Sequence, residues 1–209
     1  MMESKTDFWN SRYLNKNEDE LGWYEKESEP SLSLINECGI NKDALILDVG
    51  SGASTLIDNL LGAGYVNIVA TDISDAALNK TKHRISDTNN RVQFIVDDIT
   101  KSALATQFNQ VDLWHDRATF HFFNKNEDQQ AYLEVLNTLM KPGGFVLIST
   151  FALNGAKQCS GLPIQQYSSD QLSAFLGGNY QLITSLSYQY QTPWNEGRPF
   201  MYAVFKKKE

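Results

Sequence analysis

The most regular pattern of apolar and polar residues lies in residues 44–151, where short apolar runs alternate with amphipathic stretches. The apolar runs predict strands at residues 44–49 (ALILDV), 66–72 (VNIVATD), 91–98 (RVQFIVDD), 111–114 (VDLW) and 145–151 (FVLISTF). Between these runs, apolar residues recur at helical spacing over 56–61, from about 74 to 85, and over 132–140. This alternation indicates an α/β fold with a parallel sheet and helices on both faces.

The two ends of the chain follow other patterns. Residues 1–43 are polar but carry several aromatic side chains, of which Trp9 and Tyr13 are spaced to share one face of a helix. Short helices are expected at residues 31–37 and near 169–176. Two strand-like runs, 182–191 and 200–207, are joined by the turn-rich segment TPWNEGRP. We therefore expect a terminal hairpin that gives the sheet an antiparallel last strand.

Composition narrows the class of protein. The net charge of −7, with scattered Lys and Arg, disfavours nucleic acid as a partner. Two cysteines provide no disulfide framework and favour a reducing compartment. The N-terminus lacks a signal-peptide core, and no apolar run reaches the ~18 residues of a membrane span. We expect a cytoplasmic protein without a membrane partner, as a monomer or weak homodimer.

A glycine turn and a set of acids follow the first three predicted strands. Asp48 precedes a turn through Gly50 and Gly52, Asp72 ends the second strand, and Asp97–Asp98 end the third. Because the carboxyl ends of parallel strands meet at one edge of the sheet, these groups are expected to lie together. This edge is where open α/β sheets bind nucleoside ligands.

The details of the turn argue against a dinucleotide. The pyrophosphate fingerprint G-x-G-x-x-G fails because Thr55 takes the third glycine position. The carboxylate of Asp48, just before the turn, would repel a pyrophosphate but suits a cationic ligand or an ammonium group. S-adenosylmethionine offers an amine, a ribose diol, an adenine amino group and a sulfonium. Any single aspartate is equally explained as a turn former at a strand end.

The ordered motifs DVGSGAS, VATDIS, VQFIVDDI, the helix ending in KPGG and the terminal hairpin resemble the class I S-adenosylmethionine-dependent methyltransferases over about residues 40–209. The resemblance implies a Rossmann-like seven-stranded sheet, mostly parallel with an antiparallel last strand. It also implies S-adenosylmethionine as cofactor and S-adenosylhomocysteine as product. The matching cofactor-binding positions are Asp48, Gly50, Ser51, Gly52, Asp72, Ile73, Asp97, Asp98, Ile99 and His115.

Each matching position carries an implied role. Residues 48–52 correspond to the methionine-binding loop, and Asp72 to the acceptor of the ribose diol. Ile73 would pack on adenine, and Asp98–Ile99 would contact the adenine edge. His115, just after the fourth strand, would line the cofactor pocket.

A narrower resemblance concerns a subgroup that includes lysine methyltransferases of a translation elongation factor and of citrate synthase. The chain shares an aromatic W-x-x-x-Y start, a later Trp and the element D-R-A-T-F after strand four. By that match Trp9, Tyr13 and Trp23 would close over the methionine end of the cofactor. The chain departs from the subgroup at Arg117, where lysine is usual, and at Ala118, where the subgroup has glycine.

The element WHDRATFHFF is where the acceptor is expected to meet the methyl group. Asp116 is a candidate to accept a proton from an amine or to orient it, and equally to pair with Arg117 or cap a loop. His121 is a candidate base because its reference pKa is near neutral, and equally a packed histidine among phenylalanines. The spacing of His115, His121 and Cys159 matches no short metal motif, so no metal is expected.

The sequence thus predicts a single domain over residues 1–209. An N-terminal aromatic lid (1–43) precedes a cofactor-binding half (44–151), and a substrate-side loop with the hairpin follows (152–209). The expected function is methyl transfer to N, S or O of a small molecule, with protein lysine as the competing acceptor. A non-catalytic nucleoside-binding module is a second alternative, and a nicotinamide-dependent oxidoreductase is opposed by Thr55 and by the acid before the turn.

Overall fold

The computed structural model describes residues 4–85, 87 and 89–209. The helices are α1 (Lys5–Leu14), α2 (Ser31–Glu37), α3 (Leu56–Gly62), α4 (Asp75–Ile85), α5 (Asn126–Leu139) and α6 (Ser169–Leu176). The strands are β1 (Ile46–Val49), β2 (Ile68–Asp72), β3 (Val92–Val96), β4 (Val111–Arg117), β5 (Met140–Phe151), β6 (Gln158–Cys159), β7 (Leu162–Pro163), β8 (Tyr180–Gln191) and β9 (Gly197–Lys207). Within these ranges, the helices are all too short or too polar to cross a membrane.

Across the described residues, the main sheet has seven strands in the order β3-β2-β1-β4-β5-β9-β8. Strands β1 to β5 are parallel, and β9 runs antiparallel to both β5 and β8. The predicted α/β fold with a reversed last strand is therefore confirmed. The strand order reverses between β1 and β4, so the carboxyl ends of these two strands border the crevice in which open α/β sheets bind ligands.

Apolar side chains of the sheet are buried under helices on both faces. On one face α5 and α6 pack against strand residues in a core that contains Trp114, Tyr132, Leu136, Leu139, Val146, Ile148, Leu172 and Leu176. On the other face α2 and α3 pack in a core that contains Ile35, Ile46, Leu56, Ile57, Leu60, Leu113 and Leu147. Neighbours along a strand alternate between the two cores, as the pleat requires.

Strands β4 and β5 are among those that are longer than the apolar pattern predicts. Strand β4 continues through His115, Asp116 and Arg117, because the first two pair with both β1 and β5 and Arg117 pairs with β5. Strand β5 begins at Met140, directly after α5, and includes the KPGG segment that was expected to separate helix from strand. A Cβ at Gly144 would lie 3.1 Å from the Asp112 carbonyl oxygen, so the glycine allows this close pairing. Sheet pairing therefore carries three polar residues of β4 to the crevice.

A buried hydrogen-bond chain joins β4 to α5 and provides a test of the core. The Trp114 indole N–H donates to the Tyr132 hydroxyl (2.8 Å), which donates to Asp116 Oδ2 (3.0 Å). The substitution Tyr132→Phe leaves a buried donor and a buried acceptor short of a partner, so we expect a loss of about 1–3 kcal/mol in the free energy of unfolding. Urea unfolding measures it. Tyr188→Phe, at a half-buried position on β8, is the matched control and should cost under about 0.5 kcal/mol. Equal costs for the two variants would contradict a structural role of this chain.

Candidate functional site

The glycine turn after β1 lies in the crevice and is closely packed. Gly50 and Gly52 have φ values of +64° and +58°, a region that favours glycine. A Cβ at Gly50 would collide with the side chain of Thr119, and one at Gly52 would lie 2.5 Å from the Tyr13 hydroxyl oxygen. Both glycines are therefore required by backbone conformation and by close approach, and the turn lies between the N-terminal helix and the element after β4.

Asp72, at the end of β2, is buried beside this turn. Its Oδ2 accepts from the Gly52 backbone N–H (2.8 Å) and its Oδ1 accepts from the Ser74 N–H (2.8 Å). Burial raises the pKa of Asp72 to about 6, against the effect of these two hydrogen bonds. A carboxylate has about four acceptor positions, so Asp72, which also interacts with the Ile73 backbone N–H, still has acceptor capacity for a ligand hydroxyl.

Asp48, at the end of β1, has a different set of partners. His115 Nδ1 lies 2.6 Å from Asp48 Oδ1, and His115 Nε2 lies 2.9 Å from the Ser31 hydroxyl oxygen. The other carboxylate oxygen, Asp48 Oδ2, is buried, as is the hydroxyl oxygen of Ser51. Neither has a hydrogen-bond partner in the part of the chain that the structure describes. The turn thus carries buried polar atoms that a ligand can satisfy.

The predicted adenine residues lie at the neighbouring strand end. The Asp97 N–H donates to the Asp72 carbonyl (3.0 Å), which brings the two strand ends together. Asp98 accepts from the Thr100 N–H (3.1 Å) and hydroxyl (2.7 Å), and so caps the following turn. Asp97 Oδ2 is buried and unpartnered among the described residues, and burial raises the pKa of this carboxyl. Ile99 is buried and Ile73 half-buried in the same region. Asp97 therefore has a carboxylate oxygen still available to a ligand.

The aromatic side chains of the N-terminal segment cover the glycine turn. The ring of Trp23 packs edge-on against Trp9 (6.2 Å between centroids) and Tyr13 (6.0 Å). Trp9 also packs against Phe122 (5.1 Å), which follows β4. Tyr13 is buried with its hydroxyl against Gly52, and burial raises the pKa of that hydroxyl well above its ordinary value. The structure thus brings the three predicted lid residues together.

Thr55, which occupies the third glycine position, fastens the N-terminal segment to α3. Its hydroxyl donates to the Glu25 carbonyl (2.9 Å) and lies 2.9 Å from the Ser28 hydroxyl oxygen. The Ser28 N–H donates to the side-chain oxygen of Asn59 (2.8 Å). The sequence motif identified Thr55 as the residue that replaces glycine, and gave no sign of these contacts.

Asp116 holds the element after β4 in place. Its Oδ1 accepts from the Thr119 N–H (3.0 Å), and both its oxygens lie within hydrogen-bond distance of the Phe120 N–H. With the hydroxyl of Tyr132 as a further donor, Asp116 is buried and fully engaged. Ala118 has φ +66°, so the chain keeps at this position the backbone conformation that favours the glycine of the resembling subgroup. The carboxylate fixes the turn that presents the next residues.

His121 lies buried in that element. Its ring stacks on Phe151, with centroids 5.3 Å apart and planes 6° apart. Burial, with a contribution from the positive charge of Arg117, lowers the pKa of His121 to about 3. Both ring nitrogens are buried, and neither has a hydrogen-bond partner among residues 4–85, 87 and 89–209. The imidazole is therefore neutral at physiological pH and has an acceptor nitrogen available.

Arg117 joins β4 to the N-terminal segment, a role that its place in the motif did not indicate. Its guanidinium donates to the Tyr202 hydroxyl (3.1 Å), the Trp23 carbonyl (3.2 Å) and the Glu25 carboxylate (2.9 Å). It also lies over the ring of Phe200, 5.0 Å from the centroid. Burial raises the pKa of Glu25, and the charge of Arg117 opposes that rise. This buried ion pair holds the lid segment over the carboxyl end of β4.

The terminal hairpin and the substrate-side loop also reach the N-terminal segment. The Arg198 guanidinium lies 5.6 Å from the Trp194 ring centroid and donates to the Gly22 carbonyl (3.4 Å). Arg12 donates to the carbonyl of Ser160 in the β6–β7 loop (3.2 Å). The β6–β7 loop and the hairpin turn therefore border the N-terminal segment.

Comparison with known proteins shows a similarity to methyltransferases over part of the chain. Residues 47–146, from β1 into β5, match the family model described as a methyltransferase domain. The chain is 27% identical over 135 residues to EEF1A lysine methyltransferase 2 of Danio rerio, which is 61% of this chain and 57% of that protein. It is 30% identical over 123 residues to the ubiquinone/menaquinone biosynthesis C-methyltransferase UbiE of Coxiella burnetii, 56% of this chain and 47% of that protein. The chain spans about half the length of these curated relatives.

Solved structures share the fold over nearly the whole chain. An S-adenosylmethionine-dependent methyltransferase from Anabaena variabilis gives a TM-score of 0.78 at 14% identity, covering 97% of this chain and 93% of that one. The N-methyltransferase NodS from Bradyrhizobium japonicum, in complex with S-adenosylhomocysteine, gives a TM-score of 0.69 at 13% identity, with 97% and 100% covered. The predicted resemblance to S-adenosylmethionine-dependent methyltransferases is confirmed.

The buried carboxylate of Asp72 predicts a specific pH dependence of stability. Because its pKa is higher in the folded than in the unfolded chain, folding is favoured below about pH 4, and this stabilisation is lost as the pH rises through about 6. A shift of about two pKa units corresponds to about 3 kcal/mol. We expect the free energy of unfolding, measured with urea between about pH 4.5 and 7.5, to fall less with rising pH for Asp72→Asn than for the unmodified chain. The exposed Asp170→Asn is the control, and an Asp72→Asn profile parallel to it would contradict the assignment.

Proposed function

We propose that this chain is an S-adenosylmethionine-dependent methyltransferase that transfers a methyl group by in-line displacement to a nucleophile of a small-molecule acceptor. The observation that carries the proposal is the glycine turn between two buried carboxylates, Asp48 and Asp72, roofed by the rings of Trp9, Tyr13 and Trp23. The matching methyltransferase domain includes both carboxylates and the whole turn.

The residues present fit this cofactor. The buried, unpartnered Oδ2 of Asp48 suits the ammonium of the methionine end, and Ser51 offers a hydroxyl beside it. Asp72 keeps acceptor capacity for the ribose diol beside its backbone hydrogen bonds. Ile73 and residues 97–99 would hold adenine at the end of β3. When bound, the cofactor supplies a methyl group on a positively charged sulfur, which is the electrophile of the reaction.

The chain's own contribution is alignment and exclusion of water. A methyl transfer of this kind needs the nucleophile in line with the methyl group and no competing water. The rings of Trp9 and Trp23, anchored through Arg117 and Thr55, would cover the methionine end. Phe122 continues this cover towards the acceptor side. These contacts support a site that encloses its substrates.

His121 is the residue proposed to contact the acceptor. Its neutral imidazole can accept a hydrogen bond from an N–H or O–H of the acceptor and so orient the nucleophile. With a pKa of about 3, it is a poor base for an ammonium, whose reference pKa is about 10.4 in lysine. Asp116 acts indirectly, because its hydrogen bonds fix the turn that carries His121. This favours an acceptor that is already neutral or anionic.

Protein lysine is the second candidate acceptor. It is favoured by the similarity to EEF1A lysine methyltransferase 2 and by the aromatic residues Trp9, Tyr13 and Trp23 of the resembling subgroup. It is disfavoured by the weak basicity of His121. The covered acceptor side also opposes it, because the β6–β7 loop and the hairpin turn both contact the lid there.

The cofactor and the acceptor class are tested together. We expect the full chain to bind S-adenosylhomocysteine by isothermal titration calorimetry, and Asp72→Ala to weaken binding about 10- to 100-fold, since it removes two ribose acceptors. We also expect methyl-labelled S-adenosylmethionine, incubated with the protein and a cell extract, to leave label in the small-molecule fraction. Label confined to protein would support the lysine alternative. Absence of binding by the unmodified chain would overturn the methyltransferase proposal.

The role of His121 has its own test. The substitution His121→Phe keeps a flat ring against Phe151 but removes the acceptor nitrogen. We expect methyl transfer to fall about 10- to 1000-fold while the affinity for S-adenosylhomocysteine changes less than about twofold. His83→Gln, at an exposed position on α4, is the matched histidine control. Unchanged transfer in His121→Phe would show that the ring is a core residue without a part in the reaction.

A further inference from the structure

Three buried side chains form a hydrogen-bond chain from α2 across β4 to β1. Ser31 Oγ lies 2.9 Å from His115 Nε2, and His115 Nδ1 lies 2.6 Å from Asp48 Oδ1. The exposed fractions are 1% for Ser31, 3% for His115 and 2% for Asp48. The sequence motifs indicated Asp48 and His115 separately, and did not indicate Ser31.

The fold explains how the three residues meet. Asp48 and His115 occupy paired positions on the neighbouring parallel strands β1 and β4. Ser31 is the first residue of α2, whose Leu34 and Ile35 are buried in the same core as residues of β1 and β4. Packing of α2 on the sheet therefore fixes the Ser31 hydroxyl opposite the far side of the imidazole.

The chemistry of the three groups assigns the hydrogen bonds. An ionised carboxylate can only accept, so Nδ1 of His115 carries the hydrogen that is shared with Asp48. In a neutral ring Nε2 then accepts from the Ser31 hydroxyl. With both nitrogens engaged, the imidazole is fixed and in turn fixes the carboxylate, as outer partners fix a ligand in a binding site. Asp48 Oδ2 stays buried and, among the described residues, without a partner.

We propose that Ser31 and His115 are positioning residues, which orient Asp48 so that its Oδ2 binds the α-ammonium of the methionine portion of the cofactor. An unpaired buried carboxylate oxygen is costly, and a charged N–H donor is the partner that compensates it best. This inference rests on the proposed function, since it concerns the same cofactor site. It adds that the affinity of the site for the ammonium depends on α2, a helix outside the glycine turn.

A serine that contacts a histidine, which in turn contacts an aspartate, is also the arrangement that activates a nucleophilic serine. Here Ser31, in the first turn of α2, contacts the imidazole nitrogen that does not face Asp48. The proposed cofactor site lies at the glycine turn, on the Asp48 side of the ring, so the Ser31 hydroxyl is not placed to attack a substrate there. The hydrogen-bond chain therefore holds the carboxylate of Asp48 in place and does not activate Ser31.

Two probes separate ammonium binding from general integrity of the site. S-adenosylhomocysteine carries the α-ammonium and the α-carboxylate, whereas 5′-methylthioadenosine has the same nucleoside and a thioether but neither charged group, so the double variant with Asp48→Asn assigns a loss of affinity to the ammonium. For His115→Phe we expect calorimetry to show about a 10- to 30-fold loss of affinity for S-adenosylhomocysteine and less than a twofold change for 5′-methylthioadenosine. Ser31→Ala should lose about 3- to 10-fold in affinity for S-adenosylhomocysteine and keep its affinity for 5′-methylthioadenosine. His115→Asn, whose amide N–H can donate to Asp48, should recover part of the loss, and His83→Gln should match the unmodified chain.

The outcomes discriminate the possibilities. Equal losses for both probes, or no loss for S-adenosylhomocysteine, would overturn the positioning role. His115→Phe added to Asp48→Asn should cost no further affinity, and additive losses would show that His115 acts independently of Asp48. If His115→Phe fails to fold, the ¹H–¹⁵N spectrum of the unmodified chain decides, since a hydrogen on Nδ1 of His115 is expected and an Nδ1 without hydrogen contradicts the assignment. Failure of the unmodified chain to bind either probe would instead refute the proposed function.

Discussion

The burial of carboxylates at the carboxyl ends of β1, β2 and β4 is the constraint on which the rest of the site depends. An ionised carboxylate away from water is tolerated when donors surround it. Each of the three acids meets this need differently: Asp72 with backbone N–H groups, Asp116 with the next turn and a tyrosine, and Asp48 with His115. The donors are therefore not incidental neighbours, because they occupy both oxygens of Asp116 and determine what acceptor capacity Asp48 and Asp72 keep for a ligand.

The N-terminal segment is attached to this site by polar contacts as well as by its aromatic rings. Asn10 accepts from the Ser74 hydroxyl (2.6 Å), which places α1 at the start of α4 next to Asp72. Arg84 donates to the carboxylates of Glu18 and Asp58 and to the carbonyl of Ser54 (2.6 Å). The segment is thus tied to the residues that follow the glycine turn. Such contacts hold a cover at a defined position, and specific hydrogen bonds give that position more precisely than apolar packing does.

The sequence was sufficient to predict the strands, the reversed last strand and the edge of the sheet at which Asp48 and Asp72 lie. These features follow from the spacing of apolar residues and from the topology of parallel sheets. The sequence did not indicate which side chains are hydrogen-bonded to one another. The pattern around Ser31 indicates a helix, but not that this helix packs so that its first hydroxyl meets His115. Thr55 appeared as a missing glycine, although its hydroxyl is what binds the lid segment. Periodicity reports the face a residue occupies, whereas long-range hydrogen bonds depend on how separate elements dock.

These contacts make the lid and the cofactor site parts of one unit. Residues 25–31 are attached at three successive points: the Glu25 carbonyl to Thr55 at the start of α3, Ser28 to Asn59 of α3, and Ser31 to His115 of β4. The segment that begins with the aromatic cover therefore ends in the hydrogen-bond chain that orients Asp48. By linkage, a ligand that favours this orientation of Asp48 also favours the seated lid, and a displaced lid weakens the hold on the ligand by the same factor. In the proposed function, closure over the methionine end and recognition of its ammonium are therefore coupled through the docking of α2.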